Sequence, residues 1–221
     1  MLERVGDSDL LASCGVGRPI QRLPEAREAA SRSGNCNGEH GLAATPIDVL
    51  GFWQNAGPAK WFTKNSRFDD TIRLKFEPVH HRAACGEYDS WGATPDGSLA
   101  LVILLDQFPR NLYRGSAHSY ATDPKARAVA RNAAERGWHQ VVDKDMRQFL
   151  VLPFEHSEDL GDQEYGVHLA EDLGDPDLIK WTRIHRDIIA RFGRFPHRNT
   201  ALGRTNTAEE HVFLEGGGFS G

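Results

Sequence analysis

Three short stretches concentrate the side chains able to do chemistry. "LLDQFPRNLYRG" (104–115) runs from core-like leucines straight into Asp106, Gln107, Arg110, Asn111 and Arg114. "LPFEHSEDL" (152–160) places Glu155 and His156 directly after an apolar run. "RIHRDIIARFGRFPHRN" (183–199) carries His185 on an apolar helical stripe, then Arg194, His197, Arg198 and Asn199 around Gly193 and Pro196. A planar arginine fork beside an amide suits a carboxylate or a phosphate. A histidine next to a carboxylate can move protons near neutral pH. The candidate binding residues are Asp106, Gln107, Arg110, Asn111, His185, Arg194, Arg198 and Asn199, and the candidate proton carriers are Glu155, His156 and His197.

Each cluster has a plainer explanation beside it. Asp106 shares a helix face with Leu99, Val102 and Ile103, where an unpaired carboxylate is costly. Arg110 or Arg114 would then tie it to a neighbouring helix. Ser157, Glu158 and Asp159 read as the cap and first-turn acids of the next helix. That leaves Glu155 and His156 unaccounted for, although a satisfied buried histidine is common. The echo of "FPRN" (108–111) in "FPHRN" (195–199) favours a site. Proline biases its predecessor away from helix, so Phe108 and Phe195 are each expected to end a helix and deliver similar turns. No metal site is expected. Glu164 and His168 lie four apart, but no second pair repeats that spacing. No cofactor is expected either, since "GGGF" (216–219) follows no strand and opens no helix.

The elements that must position these residues are marked by helix punctuation. "TPID" supplies Thr45 as cap, Pro46 at the first helical position and Asp48 in the first turn. Ser66, Thr94 and Thr122 or Asp123 open three more helices, and Gly137 ends the last of these. Asp143 is expected to start a fifth that Pro153 kinks or ends, and Ser157 to cap a sixth. A seventh runs from Asp175–Pro176 to about Phe192, and Thr207 with Glu210 opens a short last one. No stretch alternates with period two and no hairpin turn joins two β-branched runs. The expectation is an all-α chain of about seven or eight helices without a sheet, packed as a bundle or a stack of antiparallel hairpins.

Composition narrows the partners. In 221 residues with 39% hydrophobic and 26% charged side chains there is room for one proper core. A net charge of −5 argues against nucleic acid. The longest apolar run, near 98–105, is far short of the roughly 20 residues a membrane span needs. Cys14, Cys36 and Cys85 form neither a disulfide framework nor a zinc pattern, which points to a reducing cytoplasm. Residues 1–44, rich in Gly, Ser, Arg and Glu, read as a disordered or loosely attached tail before a single domain at 45–221.

The three stretches, together with "W…FD..IR..F" (61–76) and "W..TP.G.LAL" (91–101), resemble the bacterial domain-of-unknown-function 924 family from about Ile47 to Phe219. The resemblance implies a tetratricopeptide-like stack of helix hairpins, which the residues alone left open. It implies no activity. Three readings follow: a pocket for a small anionic ligand, with or without acid/base catalysis; a tetratricopeptide-like scaffold for a protein or peptide; or polar clusters that merely lock helices together.

Overall fold

The computed structural model describes residues 44–219. The expected N-terminal tail, with Cys14 and Cys36, falls outside them apart from its last residue. Among the described residues every regular element is helical. In chain order they are α1 (Pro46–Ala56), α2 (Pro58–Trp61), α3 (Ser66–Ala84), α4 (Pro95–Val102), a π-helical turn (Ile103–Gln107), α5 (Phe108–Leu112), α6 (Asp123–Glu135), α7 (Leu152–Glu155), α8 (Leu160–Leu173), α9 (Pro176–Phe192) and α10 (Ala208–Glu215). Short 3-10 turns link several of them. No described helix is long and apolar enough to cross a membrane.

Local side-chain chemistry starts most of these helices. Thr45 and Thr207 each form a reciprocal capping box, with Asp48 and Glu210. Thr94 accepts from the Gly97 amide and Asp175 from the Asp177 and Leu178 amides. Two caps lie a residue or two from their expected place. Asn65, not Ser66, accepts from the Phe68 amide, and Asp159, not Ser157, accepts from the Asp162 amide. In both cases two cap-competent side chains stand close together, and a carbonyl or carboxylate oxygen takes the amide. The expected fifth helix at Asp143 is absent. Asp143 Oδ1 accepts from the Asp145 amide in a turn, a 3-10 stretch follows at Arg147–Leu150, and Pro153 sits in the first turn of α7.

The centre of the fold is the continuous helical rod α4–π–α5. Leu99 to Leu105 are all essentially sealed from solvent, because α1, α3 and α6 pack around them. Trp53 of α1 meets the Phe108 ring at 5.5 Å and the Phe149 ring at 5.7 Å. Its carbonyl accepts from Trp61 Nε1 at 2.7 Å. The rod begins against the preceding turn so closely that a Cβ on Gly97 would stand 2.1 Å from the Trp91 carbonyl oxygen. Gly97→Ala is therefore expected to cost about 2–3 kcal/mol as an overpacking substitution, read as a lower urea midpoint. At the other end of the chain, α8 and α9 form a hairpin around Gly174, which takes the left-handed conformation at φ 65°.

The rod does not end at Phe108, contrary to the expectation from Pro109. Phe108 stays helical at φ −60°, ψ −39°, and its amide reaches back to the Ile103 carbonyl. In a regular helix Pro109 would leave the Leu105 carbonyl without a donor. Here Thr122 Oγ1 donates to that carbonyl at 2.5 Å. The widened turn absorbs the proline, so the helix continues and turns Asp106 inward. Phe195 does follow a true helix end: α9 stops at Phe192, Gly193 is left-handed, and Phe195 is extended.

Candidate functional site

The inserted turn is where the polar cluster assembles. π-helical insertions recur at functional sites, where they re-aim side chains. Asp106 Oδ1 lies 2.8 Å from His156 Nδ1 and 3.3 Å from Arg110 Nη1. Its other oxygen accepts from Gln107 Nε2 at 2.6 Å. Arg110 also donates both forks of its guanidinium to Asp123 at 3.0 Å each. Arg198, from the 3-10 turn Pro196–Arg198, donates through Nη1 to the His156 carbonyl at 2.9 Å. Its guanidinium lies between the rings of Tyr120 at 4.6 Å and Phe195 at 4.4 Å. Residues distant in sequence thus meet at one place, on α4–α5, the end of α7 and the turn after α9.

Burial splits the titration of neighbouring groups. Burial alone would raise the Asp106 carboxyl, but Arg110 and His156 outweigh it and hold Asp106 below the ordinary carboxylate range. Glu155, next in chain to His156, feels Arg110 too weakly to match its burial. Burial, reinforced by the Asp106 charge, pushes it up to about 8. Burial and Arg110 lower His156, although Asp106 opposes them. With Asp106 ionised, His156 carries its proton on Nδ1 and leaves the Nε2 lone pair free. Burial lowers His185 and His197 to about 4 each. Arg198 falls to about 10 through burial and the Arg110 charge, and stays cationic at neutral pH. The Glu155–His185 contact of 3.1 Å is therefore a neutral contact near pH 7, not an ion pair. His185 Nδ1 donates instead to the Trp181 carbonyl at 2.9 Å.

The candidate residues do not all converge. Asp106, Gln107, Arg110, Glu155, His156 and Arg198 form the cluster, with His185 and His197 at its edge against Phe195 and Phe219. Asn111 faces α3, where it shares Asp69 with Arg114: Asn111 Nδ2 lies 2.8 Å from Oδ1 and Arg114 Nε 2.7 Å from Oδ2. Arg194 and Asn199 both turn to Glu210 of α10, Arg194 at 2.6 and 2.8 Å and Asn199 at 3.3 Å. One turn presents successive side chains in different directions, so a shared "FP…RN" pattern does not deliver its Arg and Asn to one spot. Arg114 also leaves Asp106 to Arg110.

Other residues matter that the sequence pattern did not single out. Asp123 holds Arg110 and stands 4.0 Å from Arg198, and it looked only like an acid at a helix start. Glu158 is not a first-turn acid of α8. It accepts from the Phe195 amide at 2.8 Å and pairs with both forks of Arg204 at 2.6 and 2.8 Å. Those bonds more than offset burial and hold its carboxyl below the usual range. No local signal marks either role, because each partner lies a loop or more away in the chain.

Solvent access to the cluster is narrow. Asp106 is sealed, while the side chains of His156 and Arg110 keep 15% and 20% of their exposure. Two open clefts lie elsewhere, one of about 330 Å³ lined by Trp61, Arg147 and Asp175 and one of about 550 Å³ beside Phe52 and Phe68. Among the described residues no group of three or more His, Cys, Asp or Glu is placed to hold a metal ion.

Among the described residues this is an all-helical fold with a charge-balanced Asp–His–Arg network at a π-helical insertion. The chain belongs to the family described as bacterial protein of unknown function (DUF924), which it matches over residues 49–218. It is similar to a solved structure of a protein of unknown function from Agrobacterium tumefaciens, with 47% identity and a TM-score of 0.75. That match covers 77% of this chain and 97% of the other. Among curated proteins none matches.

Proposed function

We propose that the cluster around Asp106 is a proton-transfer site for a small anionic molecule, a carboxylate or a phosphate ester. His156 acts as the base through Nε2, oriented by Asp106. Glu155, neutral at pH 7, acts as the acid. Arg198 anchors the anion, and Arg110 and Asp123 hold the frame. Pairs of titratable groups driven apart by their surroundings are the usual basis of such acid/base assignments.

One observation carries this reading. Around two adjacent turns joined by the Arg198–His156 hydrogen bond, Glu155 Oε2, His197 Nδ1 and Arg198 Nε are all buried without a partner. Buried polar atoms are nearly always satisfied, so three orphans on these adjoining turns support a polar guest, ordered water or a ligand group. Asp106, Glu155 and His156 also share one enclosed spot, which favours this reading over a tetratricopeptide-like groove that displays them along its length.

A thermal-shift screen of small carboxylates and phosphate esters tests it. A ligand present at about a hundred times its dissociation constant is expected to raise the melting temperature by about 5–10 °C. Arg198→Lys keeps the charge but loses the planar fork, and should abolish the shift. His156→Gln should leave binding largely intact and remove turnover. If no compound shifts the wild-type chain, or if the shift survives in Arg198→Lys, the reading fails.

A further inference from the structure

Most lysines and arginines of the described residues lie within 4.0 Å of a carboxylate, as Arg73, Arg82, Arg114, Lys125, Arg127 and Arg183 do. Lys60, Arg67 and Lys75 have no such partner among those residues, and all three line the 550 Å³ cleft between α1, α2 and α3. No carboxylate lines it. Its floor is the stacked pair Phe52 and Phe68, with centroids 5.6 Å apart and planes within 7°. Lys60 Nζ stands 5.7 Å over Phe68, and Lys75 Nζ the same distance over Phe52.

We propose that this cleft is a docking site for an acidic peptide segment that carries one large apolar side chain. Arg67, Thr71 and Lys75 recur at every fourth residue along α3, so the two cations stand about 12 Å apart along the axis. A single phosphate or carboxylate cannot reach both, whereas acidic residues spread along a segment can. Leu74, 84% exposed on the same stripe, and the phenylalanine floor offer contact to an apolar anchor. A polynucleotide would run beyond the cleft onto a chain whose net charge is −5. The site is independent of the Asp106 cluster and does not rest on its chemistry.

Fluorescence anisotropy of the full chain with a labelled Glu-rich peptide bearing a single central phenylalanine provides the test. Binding is expected at low salt and should weaken as ionic strength rises. The triple variant Lys60→Glu, Arg67→Glu, Lys75→Glu changes only exposed side chains and is expected to weaken binding about tenfold or more. Lys180→Glu, on α9, should leave binding unchanged. Replacing the peptide's phenylalanine by serine should also weaken it. The proposal is overturned if the peptide does not bind, if the triple variant binds equally well, or if inorganic phosphate or single-stranded RNA competes as strongly as unlabelled peptide. It is also overturned if sedimentation shows that the cleft pairs two copies of this chain and the triple variant abolishes that dimer.

Discussion

Asp106→Asn is expected to lower the free energy of unfolding by about 3–5 kcal/mol, the range for breaking a buried charge pair on one side. The carboxylate accepts from His156 and Gln107 and forms an ion pair with Arg110 at 3.3 Å. An amide in its place turns an NH2 group toward donors at one of its two ends. Arg110 would keep Asp123 but lose its sealed partner. Urea unfolding is the measurement: the midpoint should fall with little change in slope. His156→Gln alone should cost less, and the double variant should cost less than the sum, because both remove the same contact. The pH dependence has a defined sign. The Asp106 carboxyl is lower in the folded chain than in the unfolded one, so its contribution is present above the unfolded value and is lost as pH falls through the folded one. A variant as stable as the wild type would show that the network does not hold the α4–α5 rod to the end of α7.

Glu155→Gln is expected to do the opposite and stabilise the protein, by about 3 kcal/mol at pH 7. Glu155 is neutral in the folded chain up to about 8 but ionises in the unfolded chain near 4.5. Across that interval the unfolded chain binds fewer protons, so stability falls as pH rises. Glutamine keeps the shape and removes the ionisation. The difference between variant and wild type should vanish below about pH 4.5 and reach its full size above about pH 8. His185 and His197 act on the acid side. Both are lowered to about 4 in the folded chain, so their contribution is whole above the ordinary histidine value and is lost between there and pH 4. Urea midpoints of both proteins from pH 4 to pH 9 give the comparison. Parallel curves would mean that Glu155 is ionised in the folded state, and the acid role assigned to it would go too. A chain that gains stability while losing turnover would fit a group kept for function at a cost.

Much of the helical plan was legible because its signals are short-ranged. Thr45 with Asp48, Thr94 with Gly97, Asp175 with its two amides and Thr207 with Glu210 are all settled within a single turn. Where the signal was ambiguous, neighbouring side chains competed, as Asn65 did with Ser66 and Asp159 with Ser157. Asp143 does cap a turn, but no long helix follows it, and a 3-10 stretch and a second short helix share the apolar run up to Glu155. The expected corner at Pro109 failed for another reason. Thr122 supplies the donor that the proline removes, and nothing near Pro109 in sequence announces Thr122.

By itself, the sequence determined which faces are apolar, where most helices start, and that Asp106, Glu155, His156 and His185 adjoin apolar runs. Only the tertiary structure decided which of them meet. Asp106 and His156 are 50 residues apart, His156 and Arg198 are 42, and Glu158 and Arg204 are 46. An apolar face attracts any other apolar face, because the hydrophobic effect has no direction. The choice of neighbour, and with it the choice of ion partner, comes from how whole helices fit together. The π-helical turn then sets the last rotation that brings the Asp106 carboxylate to His156 rather than to water.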